Sequence, residues 1–242
     1  MTVLIFMSNS ARAYIAAVII LGGAIAAFAL SHWRSDDLMR FVVFLILFAA
    51  AATLKFRVPG VRGTYTSVFF FALLGSATLS FSEVAIASAL AGSIQCAFKP
   101  KHRVTLHQIA FNAANLIVST SCGFLFVRGL IPGLGGQPLP ASLILGSAVF
   151  YCVNTALVSG VLTLIEGDSF WQTWKHWCLA SLPYFVAGAL IVWALLKSDD
   201  PIATLVVIVV APPLLLASIY FRGWLPAGVI AELNKRDMSY VA

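Results

Sequence analysis

The sequence predicts an all-α fold: a polytopic transmembrane helix bundle of about eight membrane segments, with both termini cytoplasmic. Three observations carry this. Of 242 residues, 61% are hydrophobic and 10% charged, with a mean hydropathy of +0.97, whereas a soluble domain carries about 25% charged residues. The apolar residues fall in helix-length runs broken by short polar loops, as a hydrocarbon core of about 30 Å requires. Finally, eleven Lys and Arg lie in the N-terminus, the second, fourth and sixth loops and the C-terminus, against four in the first, fifth and seventh loops. By the positive-inside rule, that bias keeps both ends in the cytoplasm. One integral-membrane domain, residues 1–221, leaves a short cytoplasmic tail at 222–242.

The first segment is expected at Ala13–Leu30, with Arg12 directly before it, as an uncleaved helix rather than a signal peptide. The second is Leu38–Leu54, where Arg40 can snorkel to the surface. Segments three and four are Tyr65–Phe81 and Val84–Phe98. Segment five is Leu106–Val127, stopped by the Gly- and Pro-rich RGLIPGLGGQPLP. Segment six is Ala141–Ile165. Trp171, Trp174 and Trp177 then recur on one face and predict a separate interfacial helix capped by Asp168 or Ser169, with Glu166 and Asp168 paired near Lys175 and His176. Segment seven is Leu179–Leu196, with Pro183 in its first turn. Segment eight is Ile202–Tyr220, kinked at Pro212-Pro213.

Segments three and four are short. Between Arg62 and Lys99 the only formal charge is Glu83. About 36 residues give about 54 Å of helix, less than two full crossings. The pair is either two thin spans or a re-entrant hairpin. Glu83 is accordingly either a solvent-reached turn residue, with segment four capped from Ser82 or Glu83, or an intramembrane carboxylate that binds a proton or cation. The turn is the expectation.

The composition excludes several function classes. Net charge is +6, but the basic residues are scattered through loops, so no nucleic-acid partner is expected. Cys96, Cys122, Cys152 and Cys178 have no metal-like spacing, and His32, His102, His107 and His176 are isolated, so no metal or other cofactor is expected. No nucleophile elbow, Walker loop or dinucleotide fingerprint occurs, and no catalytic residue is assigned.

Binding residues come from spacing. Thr105, Gln108, Asn112, Asn115, Ser119 and Cys122 recur three or four apart and share one stripe of segment five. Segment six offers Ser147, Tyr151 and Asn154, and segment four Ser88, Gly92 and Gln95. Such stripes face protein or a wet cavity, since a lipid-facing amide goes unsatisfied. They are therefore either interhelical packing seams or the lining of a ligand cavity. As a cavity, Gln108, Asn112, Asn115, Ser119, Tyr151, Asn154 and Glu83 are the ligand-binding candidates. In the basic loop VPGVRGTYTS, Arg57, Arg62 and Thr64 are candidates for an anion or lipid headgroup.

The segments LKFRVPGVRGTYTSVFF, QCAFKPKHR with FNAAN after it, and YCVNTALVSGVLTLIEGDSFWQTWKHW leading into LPYFVAGAL resemble the N-terminal multi-helix membrane domain of bacterial signalling proteins that carry diguanylate cyclase (GGDEF) or HD-type phosphohydrolase outputs. The likeness covers roughly residues 50–195. It implies a sensory module of the bacterial inner membrane, without catalytic residues of its own. It also implies a sensing role for Arg62, Thr64, Asn112, Asn115, Asn154, Glu166 and Tyr184. Only 22 residues follow Tyr220, with no output domain among them, so the expectation is a sensor-like or ligand-binding module acting through a separate cytoplasmic partner. The alternative is a small-solute transporter, or a substrate-binding membrane subunit resembling the S components of vitamin transporters. The lipid bilayer is a partner in either case, with a small-molecule ligand.

Overall fold

The computed structural model describes residues 8–56, 65–98, 104–130, 140–167 and 169–198. Helix α1 (Asn9–Ser31) begins where the Ser8 hydroxyl accepts the Ala11 N–H, and α2 (Leu38–Thr53) where Asp37 accepts the Arg40 N–H. Strands β1 (Lys55–Phe56) and β2 (Tyr65–Thr66) pair antiparallel, Lys55 opposite Thr66 and Phe56 opposite Tyr65. Then come α3 (Val68–Thr78), α4 (Phe81–Ala97) and α5 (Leu106–Phe124), the last continuing as a π-helix over Leu125–Leu130. Helices α6 (Pro140–Glu166) and α7 (Phe170–Lys197) complete the described chain; Pro140 opens α6 at the one turn where its missing N–H goes unused.

Three of these stretches are long and apolar enough to cross a membrane: Asn9–Ser31, Leu106–Arg128 and Pro140–Glu166. The apolar helices α2, α3 and α4 are shorter. All-helical architecture is as expected. The separate interfacial helix is not found: α7 runs unbroken for 28 residues from Phe170. Pro183 therefore lies in its interior, where its missing N–H leaves the Leu179 carbonyl without a helical donor. Ser169 is the N-cap residue but makes no side-chain capping bond. Asp168, segment eight and the tail lie outside the described residues, as do the side chains of Lys175 and His176.

Helix α3 is the axis of the bundle. Ten of its 11 residues are buried, because its sequence is apolar or small on every side, the pattern of a helix with no solvent face. It touches α2, α4, α5, α6 and α7. Phe69 meets Phe185 at 4.2 Å between ring centroids, and Phe71 meets Phe44 and Phe48, each at 6.1 Å. Shape-matched van der Waals contact of this kind holds helices together when the surroundings are as apolar as the core. Helix α1 lies outside this core against α5. A Cβ on Gly22 would fall 2.5 Å from the Ala114 side chain, so only glycine permits that approach. Its other face is bare, with Ile20 71% and Phe28 54% exposed.

The helices alternate in direction, and hydrogen bonds mark the two ends. At one end Ser8 Oγ donates to the Leu164 carbonyl near the close of α6 (3.4 Å). At the other, the α3–α4 turn meets the α1–α2 connection: Ser80 Oγ donates to Arg34 O (2.7 Å) and Ser82 Oγ to His32 O (2.9 Å). The Arg128 guanidinium, at the close of the π-helix, donates through Nε to Ser76 O (3.0 Å) and through Nη2 to Ala77 O.

Candidate functional site

Two regions gather the polar side chains. The first is a seam between α5 and its neighbours, and the predicted stripe of α5 meets three different fates along it. Thr105 and Gln108 form a capping box: the Thr105 N–H donates to Gln108 Oε1 (2.9 Å) while Thr105 Oγ1 accepts the Gln108 N–H (3.4 Å). Gln108 is exposed, at the helix start rather than within the bundle. Asn112 is half-buried, and its carbonyl oxygen would lie 2.7 Å from a Cβ on Gly92, so α4 and α5 touch backbone to backbone there. Deeper in, Ser119 is fully buried and its hydroxyl returns to the Asn115 carbonyl (2.7 Å).

Between these, Asn115 is 4% exposed, and its Nδ2 donates to Asn154 Oδ1 on α6 at 2.6 Å. The pair lies near the middle of two helices each long enough to cross a membrane. Asn115 Oδ1 has no partner and no contact with solvent. Buried polar groups are nearly always paired, so this atom calls for a reason.

Other polar groups of these helices divide: Ser121 Oγ on α5 and Thr163 Oγ1 on α6 are buried without a partner, while the rest are satisfied within the fold. Ser88 Oγ donates to Thr120 Oγ1 (3.0 Å), Ser147 Oγ to Phe185 O (2.9 Å), and Trp174 Nε1 to Thr155 Oγ1 (3.1 Å). Tyr151 is buried with its ring 4.3 Å from Phe185. A cavity between α3, α5 and α6, lined by Phe69, Ser76, Thr120 and Phe150 among others, measures about 10 Å³, room for a single water.

The second region is the end where three connections meet. Ser80 is the N-cap of α4 and Glu83 its third residue, in a reciprocal capping box. Glu83 Oε2 accepts the Ser80 N–H (2.8 Å) and Oε1 accepts the Ser35 hydroxyl (2.7 Å) from the α1–α2 connection. Two sequence expectations are corrected here. The cap is Ser80, not Ser82 or Glu83, and Glu83 is 1% exposed rather than reached by solvent. The cause is tertiary: residues 32–35 fold over the turn and cover the carboxylate. It is not a mid-bundle residue either, because its neighbours are the connections at one end.

Of the sequence candidates, the structure joins Asn115 to Asn154 and, through its carbonyl, to Ser119; Tyr151 lies one helical turn before Asn154 on α6. It does not bring Gln108 or Glu83 to them. Arg57, Arg62 and Thr64 lie outside the described residues, as does the Tyr184 side chain; Glu166 ends α6, exposed. Sequence reasoning missed Ser35 and Arg128. Arg128 had a signal, as a lone cation closing an apolar run; Ser35 had none. Among the described residues, no group of three or more His, Cys, Asp or Glu is placed to hold a metal. Comparisons with protein-family models, with curated proteins and with solved structures find no match.

Proposed function

We propose that this chain is a non-catalytic, multi-pass membrane module, sensor-like and ligand-binding, that acts through a separate partner protein. It sits in the bacterial inner membrane in the eight-segment topology, with both termini cytoplasmic. The alternating helix directions support that topology, since the end holding Ser8 and Leu164 is separate from the end holding residues 32–37 and the α3–α4 turn. The resemblance to membrane input domains of bacterial signalling proteins supports the sensory role.

One observation carries the ligand-binding reading: the Asn115–Asn154 pair leaves a buried amide oxygen unpaired near mid-membrane depth; the hydroxyls of Ser88, Ser119, Ser147 and Thr155 have partners, and Ser121 Oγ, farther along α5, does not. An interhelical amide bond alone is ordinary packing; a buried amide oxygen left over beside it is costly in apolar surroundings and supports a ligand. The transport alternative draws no support from the cavity between α3, α5 and α6, which is too small for a solute.

Native mass spectrometry tests the reading. Protein released from its membrane should carry a non-covalent adduct that an Asn115→Leu variant of unchanged helicity lacks. Identical spectra for the two proteins would refute it.

A further inference from the structure

We infer that the Asn115–Asn154 pair recognises the polar group of a neutral, lipid-soluble molecule bearing a hydroxyl or carboxamide, admitted sideways between α5 and α6. This rests on the ligand-binding reading above and names its ligand class.

The argument begins with the hydrogen-bonding inventory. Two carboxamides joined by a single bond leave one amide oxygen and one NH₂ group unused by the pair. Here the acceptor is Asn115 Oδ1, without a partner. The donor is Asn154 Nδ2, for which the described residues supply no acceptor. Turning both amides over reverses the roles and still leaves one NH₂ group and one amide oxygen unused by the pair. A group that both donates and accepts completes either arrangement; a carboxylate only accepts and an ammonium only donates.

Charge then narrows the class. Neither α5 from Leu106 to Val127 nor α6 from Pro140 to Ile165 carries an Asp, Glu, Lys or Arg. Glu83 and Arg128 both sit at the end where the connections meet. A charged ligand at the amide pair would lack a counter-ion in apolar surroundings, which is strongly disfavoured.

Burial gives the direction of approach. Asn115 is enclosed, whereas Asn154 is half-buried. The amide pair therefore opens at the α6 side. That side faces apolar surroundings along a helix long enough to span a membrane, so a molecule reaching Asn154 arrives through lipid rather than water.

The test uses the full-length protein in lipid nanodiscs and octanol carrying a diazirine. Irradiation should label residues 111–119 and 150–158 saturably. Decanol should compete, and decane and decanoate should not. The double variant Asn115→Leu/Asn154→Leu removes both amides while keeping apolar volume, and should retain its helicity but lose saturable labelling at least tenfold. Labelling that decane suppresses equally, or that the double variant retains, would overturn the inference and reduce the pair to a lipid contact or a water site. Saturable labelling confined to other helices would overturn it while leaving the ligand-binding reading in place. No saturable labelling in a protein that still shows the mass-spectrometric adduct would overturn only the ligand class.

Discussion

Replacing Glu83 should loosen the end of the bundle where residues 32–37 meet the α3–α4 turn. Its two carboxylate oxygens accept from the Ser80 N–H at 2.8 Å and the Ser35 hydroxyl at 2.7 Å, and the side chain is 1% exposed. Hydrogen bonds to a carboxylate contribute about 1.5–3 kcal/mol each, and leaving the Ser80 N–H without a partner adds to the loss. Glu83→Ala should therefore destabilise by about 3–4 kcal/mol, near the upper end for single substitutions. Glu83→Gln keeps one acceptor but turns an NH₂ toward a donor, and should cost about 1.5–2 kcal/mol, one bond rather than two. Ser35→Ala should cost about 1.5 kcal/mol, and a Ser35/Glu83 double-mutant cycle should return a coupling of at least about 1 kcal/mol. Unfolding in mixed detergent micelles, followed by far-UV circular dichroism, measures all four. A Glu83→Ala protein within about 0.5 kcal/mol of the parent, the range of ordinary surface changes, would refute the view that the carboxylate ties the two connections together.

Gly22→Val should displace α1 from α5, since even a Cβ meets Ala114 at 2.5 Å; crosslinking between cysteines placed on the two helices should fall, and Ala114→Gly should restore part of it. Arg128→Lys should destabilise by about 1.5–3 kcal/mol, because one ammonium cannot span the Ser76 and Ala77 carbonyls as the guanidinium does; micelle unfolding reads this directly. In a protein without native cysteines, single cysteines at Trp33 and Leu54, exposed by 39% and 47%, should react with a membrane-impermeant reagent from opposite sides of the bilayer. Reaction from the same side would rule out a crossing by α2.

Long, uniformly apolar elements were legible in the sequence because length and composition alone decide them. Segment six was expected at Ala141–Ile165 and α6 is Pro140–Glu166; segment five was expected from Leu106, where α5 begins. The break expected before Leu179 is absent because three tryptophans can as well continue a helix as end one. Pro183, expected in a first turn, is instead carried within a helix packed on α3 and α6. The polar stripe of α5 was visible as spacing, but spacing reports only which side of a helix a residue occupies. Whether Gln108 caps, Ser119 bonds back to its own helix or Asn115 reaches across to α6 depends on what lies opposite, and that is set by chain segments far away in sequence. Glu83 is the sharpest case. Its local surroundings indicate a turn, correctly, but the cover over it comes from Ser35, 48 positions earlier.

The short α3–α4 pair follows from the same interplay of local and distant structure. Its deficit in length came from counting every residue as helical, at about 1.5 Å each. Tyr65 and Thr66 are strand instead, paired with Phe56 and Lys55, and an extended residue rises about 3.3 Å. Two such residues add about 7 Å to the roughly 16 Å of an 11-residue helix. With Ser67 between them, the first arm reaches about 25 Å, matching the 17 residues of α4. The extended start is affordable only because β1 supplies hydrogen-bond partners that apolar surroundings cannot. The paired strands end the first arm beside α2. At the opposite end the turn is sealed by Ser80, Ser82 and Glu83 against residues 32–35. A buried carboxylate there needs no place at mid-depth, whereas Asn115 Oδ1 lies deep and, like Ser121 Oγ on the same helix, without a partner.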